Sequence, residues 1–239
     1  MAQRGRLGGL ALVGLLLLAT GMAVTSGATV AIASPNVQQT CLNNINYPCY
    51  ARGTFYNGYA YGGAFVYVDV QSMSASGNPY LNETLWACTN SSACSYWAEI
   101  GYTRNSPLCR GQFRWYYTYV NPSAGVVQTC FGSTPSVGTS YSLEAQEVYS
   151  DQYDIYLNGS LVTTDVGTTG WTYYAYTGLE WHLLPSSLGG NAYFSAQQVR
   201  STGCCSWYYW PAGGTNVSYP QYYNWGWTST NPWDNGFDN

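Results

Sequence analysis

Two glutamates are the residues of this chain best suited to chemistry. Glu99 lies in Trp97-Ala98-Glu99-Ile100-Gly101-Tyr102, and Glu180 lies in Thr177-Gly178-Leu179-Glu180-Trp181-His182. The 239 residues hold only 11 acids, and these two stand among apolar and aromatic neighbours rather than in a charged run. A carboxyl in such surroundings has a raised pKa and can hold a proton usefully. Two of them across one cleft would serve acid–base hydrolysis, one activating water while the other donates a proton. Other chemistries are poorly provided for. With His182 the only histidine and no Gly-x-Ser-x-Gly elbow, a serine hydrolase is not expected. There is no glycine loop leading into a helix that would cradle phosphate. Asp234 and Asp238 lack the spacing of a calcium loop. Neither a metal nor a cofactor is expected.

The segments that carry the glutamates read as strands. Tyr, Trp, Thr, Val and Ser dominate after the first thirty or so residues, with Gly and Asn as punctuation. Strands are expected at Ala64–Asp69, Ser95–Thr103, Gln112–Val120, Tyr141–Val148, Trp171–Tyr176, Leu179–Leu183 and Ala192–Val199. Side chains alternate along a strand, so Ala98 and Ile100 share one face while Trp97, Glu99 and Gly101 share the other. Asn158-Gly159, between Tyr153–Leu157 and Leu161–Thr164, predicts a hairpin with a tight primed turn. Many short strands separated by turns predict an all-β, antiparallel two-sheet β-sandwich or jelly roll. From about 207 to 239 the chain becomes an aromatic-rich strap punctuated by Gly, Pro and Asn.

Export is the expected fate. Arg4 and Arg6, the apolar run Leu7–Leu18 and Ala31-Ile32-Ala33 have the form of a secretory signal peptide over residues 1–33. A single domain of 206 residues, 34–239, would follow, extracellular and not membrane-bound after cleavage. All eight cysteines lie in that part, as befits an exported disulfide framework. The local pairings expected are Cys41–Cys49, Cys88–Cys94 and Cys109–Cys130, with Cys204 and Cys205 left over. The chain has no lysine, and the part after residue 33 carries a net −6 with five Arg against 11 acids. Clustered cations for phosphate are missing, so nucleic acid is not an expected partner. Full protonation of the acids would leave only a small positive charge, which suits an acidic medium.

The stretch from about Trp97 to Trp181 resembles the glutamic peptidases, that is, the eqolisins and the plant neprosins. Eqolisins carry a catalytic Gln on a Leu-Gln-Thr-Gly strand and a catalytic Glu in a later Ala-Glu-Trp. Ala98-Glu99-Ile100-Gly101 stands where the first would be, and Leu179-Glu180-Trp181 resembles the second. Phe113-Arg114-Trp115-Tyr116-Tyr117 and Ser136-Val137-Gly138-Thr139 resemble the aromatic strand and the turn between them. Glu99 departs from the eqolisin Gln and shifts the resemblance toward neprosins, which use two glutamates. The resemblance implies a concanavalin-like jelly roll with both glutamates in a concave groove. It also implies cleavage of peptide bonds, with an acidic pH optimum; a monomer is expected. Glu99 and Glu180 would be catalytic, Trp97, Trp115, Tyr117, Trp181 and His182 would bind substrate, and Gln112 or Arg114 could supply the oxyanion donor.

Two other classes fit the composition. Small jelly-roll glycoside hydrolases also set two glutamates across a cleft and would take a polysaccharide. A lectin-like module would need only exposed Trp and Tyr to stack on sugar rings. Glutamates on opposite faces of the sandwich would favour such a binding protein; glutamates on one face favour an enzyme.

Overall fold

A computed structural model describes residues 49–56, 58–75, 80–89, 94–121, 125–149, 152–167, 170–182, 188–189, 191–203, 205–210, 214–217, 224–227 and 235–238. The signal peptide expected at 1–33 and the Cys41 half of one expected disulfide lie outside these residues. So do Cys204 and the side chain of His182.

Every regular element among the described residues is a strand. They are β1 (Cys49–Phe55), β2 (Gly63–Asp69), β3 (Ser74–Ala75), β4 (Tyr80–Cys88), β5 (Trp97–Arg104), β6 (Arg114–Asn121), β7 (Gly125–Phe131), β8 (Ser140–Tyr149) and β9 (Gln152–Leu157). Then follow β10 (Ser160–Gly167), β11 (Tyr174–His182), β12 (Leu188–Gly189), β13 (Ala192–Arg200), β14 (Trp207–Tyr209), β15 (Gly214–Val217), β16 (Asn224–Trp227) and β17 (Asn235–Asp238). The chain is an antiparallel two-sheet sandwich of the jelly-roll kind. One sheet runs β15-β1-β11-β4-β5-β6-β7, and the other runs β10-β9-β8-β2-β13-β17-β16 with β14 also paired to β13.

Alternation builds the core. Ala51, Phe55, Leu81, Leu85, Ala98, Ile100, Leu179 and Trp181 face inward from the first sheet. Val66, Val68, Leu143, Ala145, Ile155 and Phe194 meet them from the second. Asn158 and Gly159 both have positive φ, 51° and 68°, and form the expected two-residue turn between β9 and β10. The two strands expected over 171–183 are one continuous β11. The strap is divided between the sheets, with β15 pairing β1 and β14 and β17 pairing β13. Its Trp210 is fully buried and stacks on Phe55.

Cys88–Cys94 and Cys109–Cys130 are disulfides, as expected. Cys49 and Cys205 are disulfide-bonded too.

Candidate active site

The first sheet places both glutamates on one face. Residues directly opposite each other in antiparallel strands point the same way. Glu180 of β11 pairs with Asn82 of β4, and Asn82 pairs with Thr103 of β5. Glu99 of β5 pairs with Trp86 of β4, and Trp86 pairs with Tyr176 of β11. Asn82 and Trp86 are both even-numbered on the same strand, so Glu99 and Glu180 share the face turned away from the core. This disposes of the opposite-face arrangement that would have left only a binding module or a scaffold.

The registers lay that face out as three rows crossing the strands. One row holds Thr54, Tyr176, Trp86, Glu99, Thr118 and Gln128. Another holds Tyr50, Glu180, Asn82, Thr103 and Arg114. Between them runs Arg52, Gly178, Thr84, Gly101 and Tyr116. The middle row is small at its centre, so the flanking rows face each other over a shallow floor. Gly101 and Gly178 are also demanded by backbone approach: a Cβ would lie 2.3 Å from the Glu83 carbonyl oxygen at one and 2.3 Å from that of Ala51 at the other.

The Glu99 carboxyl leans toward that floor. The Tyr116 hydroxyl hydrogen-bonds Glu99 Oε1, and Trp97 Nε1 donates to Oε2 at 3.1 Å. The Thr84 hydroxyl, which donates to the Ile100 carbonyl at 2.8 Å, lies against the same carboxyl. Asn82 Nδ2 donates to Glu180 Oε1 at 3.4 Å. Glu99 is 4% exposed and Glu180 9%. Burial, and after it the negative charge of Glu180, push the Glu99 carboxyl up to about 8, against the opposing pull of the Tyr116, Trp97 and Thr84 hydrogen bonds. Glu99 therefore holds its proton through neutral pH and stands as an acid beside a second carboxyl.

Tyr80 closes one side. Its hydroxyl accepts from Gln128 Nε2 at 3.0 Å and from Asn82 Nδ2 at 3.4 Å. Tyr80 and Gln128 belong to strands three places apart and, by register, lie six residues apart along them, roughly 25 Å in a flat sheet, so the sheet is curled here toward the glutamates. Tyr50, Trp86 and Tyr176 form an aromatic wall with the Cys88–Cys94 bridge behind it.

The other site expectations divide by parity. Trp97 is on the glutamate face, and its Nε1 donates to Glu99. Trp115 and Trp181 are core residues at 2% and 0% exposure, and Tyr117 packs against the core. Each is one residue out of phase with its strand's groove face, occupied by Arg114, Tyr116 and Thr118 on β6 and by Glu180 on β11. Gln112 and Arg114 do not point a free donor at the carboxyls: Arg114 Nε donates to Gln112 Oε1 at 3.0 Å, and its guanidinium also hydrogen-bonds the Gly132 carbonyl. Sequence reading missed Tyr50, Arg52, Asn82, Thr84, Trp86, Tyr116 and Tyr176. Most belong to β1 and β4, the first barely foreseen and the second not at all. Leu81-x-Glu83-x-Leu85-x-Ala87 does alternate, but an acid stands in an inward slot and hides the pattern.

No protein-family model and no curated protein matches this sequence. Solved structures do resemble the fold. Scytalido-glutamic peptidase, bound to a peptide-based transition-state analogue, superposes with a TM-score of 0.61 at 13% identity, over 80% of this chain and 97% of that one. SCP-B, a member of the eqolisin family of peptidases in complex with the tripeptide Ala-Ile-His, gives 0.56 at 12% identity, over 80% and 97%. A glycoside hydrolase family 16 endo-glucanase from Bacteroides ovatus gives only 0.35 at 10% identity, over 58% and 67%. At these identities the likeness to the eqolisins is one of fold.

Proposed function

We propose that this chain is an exported hydrolase that cleaves peptide bonds through Glu99 and Glu180. The observation that carries the reading is a pair of buried carboxyls on one face of the sheet, in rows on either side of a floor of small residues, with burial and the charge of Glu180 raising the Glu99 carboxyl. The eqolisin-like fold supports it. Glu180, as carboxylate, takes a proton from water, and that water attacks the peptide carbonyl carbon. Glu99 donates to the carbonyl oxygen as charge builds there. Collapse of the tetrahedral intermediate reforms the C=O bond and breaks the C–N bond, the proton on Glu180 passes to the leaving nitrogen, and Glu99, a hydrogen-bond donor to the oxyanion throughout, keeps its own. No metal and no cofactor enters this scheme. Activity extends from acidic pH upward and fails as Glu99 ionises, which sets the alkaline limb near the value its burial dictates.

The test is digestion of casein and of short peptides from pH 3 to 9. Glu180→Gln should lower kcat/KM by about 10²–10⁴-fold, the range for loss of an acid–base group. Glu99→Gln keeps a hydrogen-bond donor and matches the eqolisin residue type. It should stay within about tenfold of the parent at pH 5, on the worth of one charge-assisted hydrogen bond, and lose the limb near pH 8. Unchanged cleavage by Glu180→Gln ends the proposal. The aromatic wall of Tyr50, Trp86 and Tyr176 favours one second reading, the same pair acting on a polysaccharide stacked against those rings. Glycan substrates in the same assay decide between them.

A further inference from the structure

We infer that Arg52 is a specificity-determining residue that binds a carboxylate of the substrate at the β1 end of the groove. The inference rests on the peptide-hydrolase reading and adds to it the charge the substrate must carry.

Arg52 stands in the small-residue row, opposite Gly178 and two strands from Thr84. Because Gly178 has no side chain, the residue of β11 directly opposite leaves the space beside Arg52 open. Tyr50 and Tyr176, from the two flanking rows, close on the guanidinium instead: its central carbon is 4.4 Å from one ring centroid and 4.2 Å from the other. Two aromatic faces fix the plane of the group and leave its edge for in-plane hydrogen bonds. That edge is unclaimed. Nε is buried without a hydrogen-bond partner, and among the described residues Arg52 has no carboxylate within ion-pair distance. The residue is only half-buried, so its terminal nitrogens meet solvent on the groove side.

The contrast with Arg114 is informative. Arg114 lies on the same face and spends its donors on Gln112 and the Gly132 carbonyl. Arg52 is held equally firmly, by rings, yet keeps its donors free. A planar, pre-oriented guanidinium whose two terminal nitrogens are exposed and, among the described residues, unpaired is built for a bidentate carboxylate. Strands are about 4.8 Å apart and an extended peptide advances about 3.4 Å per residue, so a group at β1 lies about two or three residues from a bond held over β4. Either an Asp or Glu side chain at that position or the free carboxyl terminus of a short peptide would supply the ligand.

Two measurements test this. In the first, a peptide cleaved by the parent is resynthesised with Glu, Gln or Lys at each of the three positions on either side of the scissile bond, each as C-terminal acid and amide. At one position, or at the C-terminus alone, the carboxylate form should be cleaved at least about tenfold better than its neutral counterpart, the scale of one charge-assisted hydrogen-bond pair. That preference should vanish in Arg52→Gln and be only partly kept in Arg52→Lys, which has the charge without the fork. The acid–amide arm separates the two sources of the carboxylate. The second measurement needs no catalysis: the acidic and neutral peptides are titrated onto Glu180→Gln protein by tryptophan fluorescence. Tighter binding of the acidic peptide, abolished by adding Arg52→Gln, sustains the inference even if peptide cleavage is never seen. Equal cleavage and equal binding of the Glu, Gln, acid and amide forms by the parent overturn it, and that result requires no variant to fold.

Discussion

The two faces of the β4-β5-β6 stretch of the sheet carry the same chemical pair, and only one of them is a candidate site. On the groove face Glu99 is hydrogen-bonded by Tyr116; on the core face Glu83 is hydrogen-bonded by Tyr102. Both carboxyls are raised, and for both the first cause is burial. What differs is the company. Glu83 is fully enclosed, its Oε1 has no hydrogen-bond partner, and the charge that raises it further is that of Asp69. Its tyrosine is tied back to the chain by the Gln71 N–H at 3.0 Å. Glu99 faces Glu180 over Thr84, Gly101 and Gly178. A raised pKa alone therefore does not mark a catalytic acid here. A second carboxyl and a floor cleared of side chains do.

The sharpest way to break that distinction is to neutralise one acid on each face. Glu180→Gln should remove activity by the 10²–10⁴-fold given above, whereas Glu83→Gln should leave kcat/KM within about threefold of the parent. Equal losses would mean that the core acid, and not the pair on the outer face, governs the reaction.

The floor comes next in size. Gly101→Ala puts a methyl 2.3 Å from a carbonyl oxygen and 2.6 Å from Thr84 Cβ, so β4 and β5 must part to admit it. Overpacking of this kind costs about 1–3 kcal/mol. Activity should fall further than stability explains, because the same displacement moves Glu99. Urea denaturation beside kcat/KM at a denaturant-free, fully folded condition tests this; a well-folded variant with parental activity would show that the floor is merely a packing detail.

These rows explain how much of the molecule could be read from its residues. The all-β architecture, the Asn158-Gly159 hairpin and two disulfides follow from local signals that tertiary context did not override. Glu99 and its face followed from Ala98 and Ile100, whose apolar side chains fix the parity of β5. Parity failed on β6, where Arg114 to Tyr119 is aromatic or amphipathic on both faces and no pattern says which side is inner. It failed on β4 because Glu83 occupies an inward slot. Arg52 was invisible for a further reason: its importance comes from Gly178, 126 positions away and opposite it only once β1 and β11 pair.

Glu83 also makes the core sensitive to pH. Its carboxyl is raised in the folded state, so between the ordinary carboxyl value of 4.5 and the folded value the unfolded chain releases a proton that the native chain retains. Stability is then full below about pH 4.5 and declines as pH rises through that window; Glu99 adds to the slope up to about 8. Glu83→Gln keeps an acceptor for Tyr102 and carries no charge. It should flatten the decline and leave the variant more stable than the parent at pH 7, because the parent must hold there a proton that its unfolded chain has released. At pH 3 it should change little. Thermal unfolding of both proteins across pH 3 to 8 checks this; a parent that gains stability with rising pH would contradict it.

The smallest effect is the most specific to the groove. The Tyr116 hydrogen bond lowers the Glu99 carboxyl against the larger effects of burial and Glu180, so its removal must raise that carboxyl further. Tyr116→Phe should thus move the alkaline limb of kcat/KM to higher pH, while costing less than about tenfold in rate at pH 5, as expected for one hydrogen bond to a carboxyl. Tyr102→Phe, the matching change on the core face, removes a bond that lowers Glu83 and should leave the limb where it is. The pair of profiles separates the two acids without touching either. A limb that moves with Tyr102 and not with Tyr116 would assign the kinetic proton to the interior carboxyl, and with it the wrong face of the sheet to the reaction.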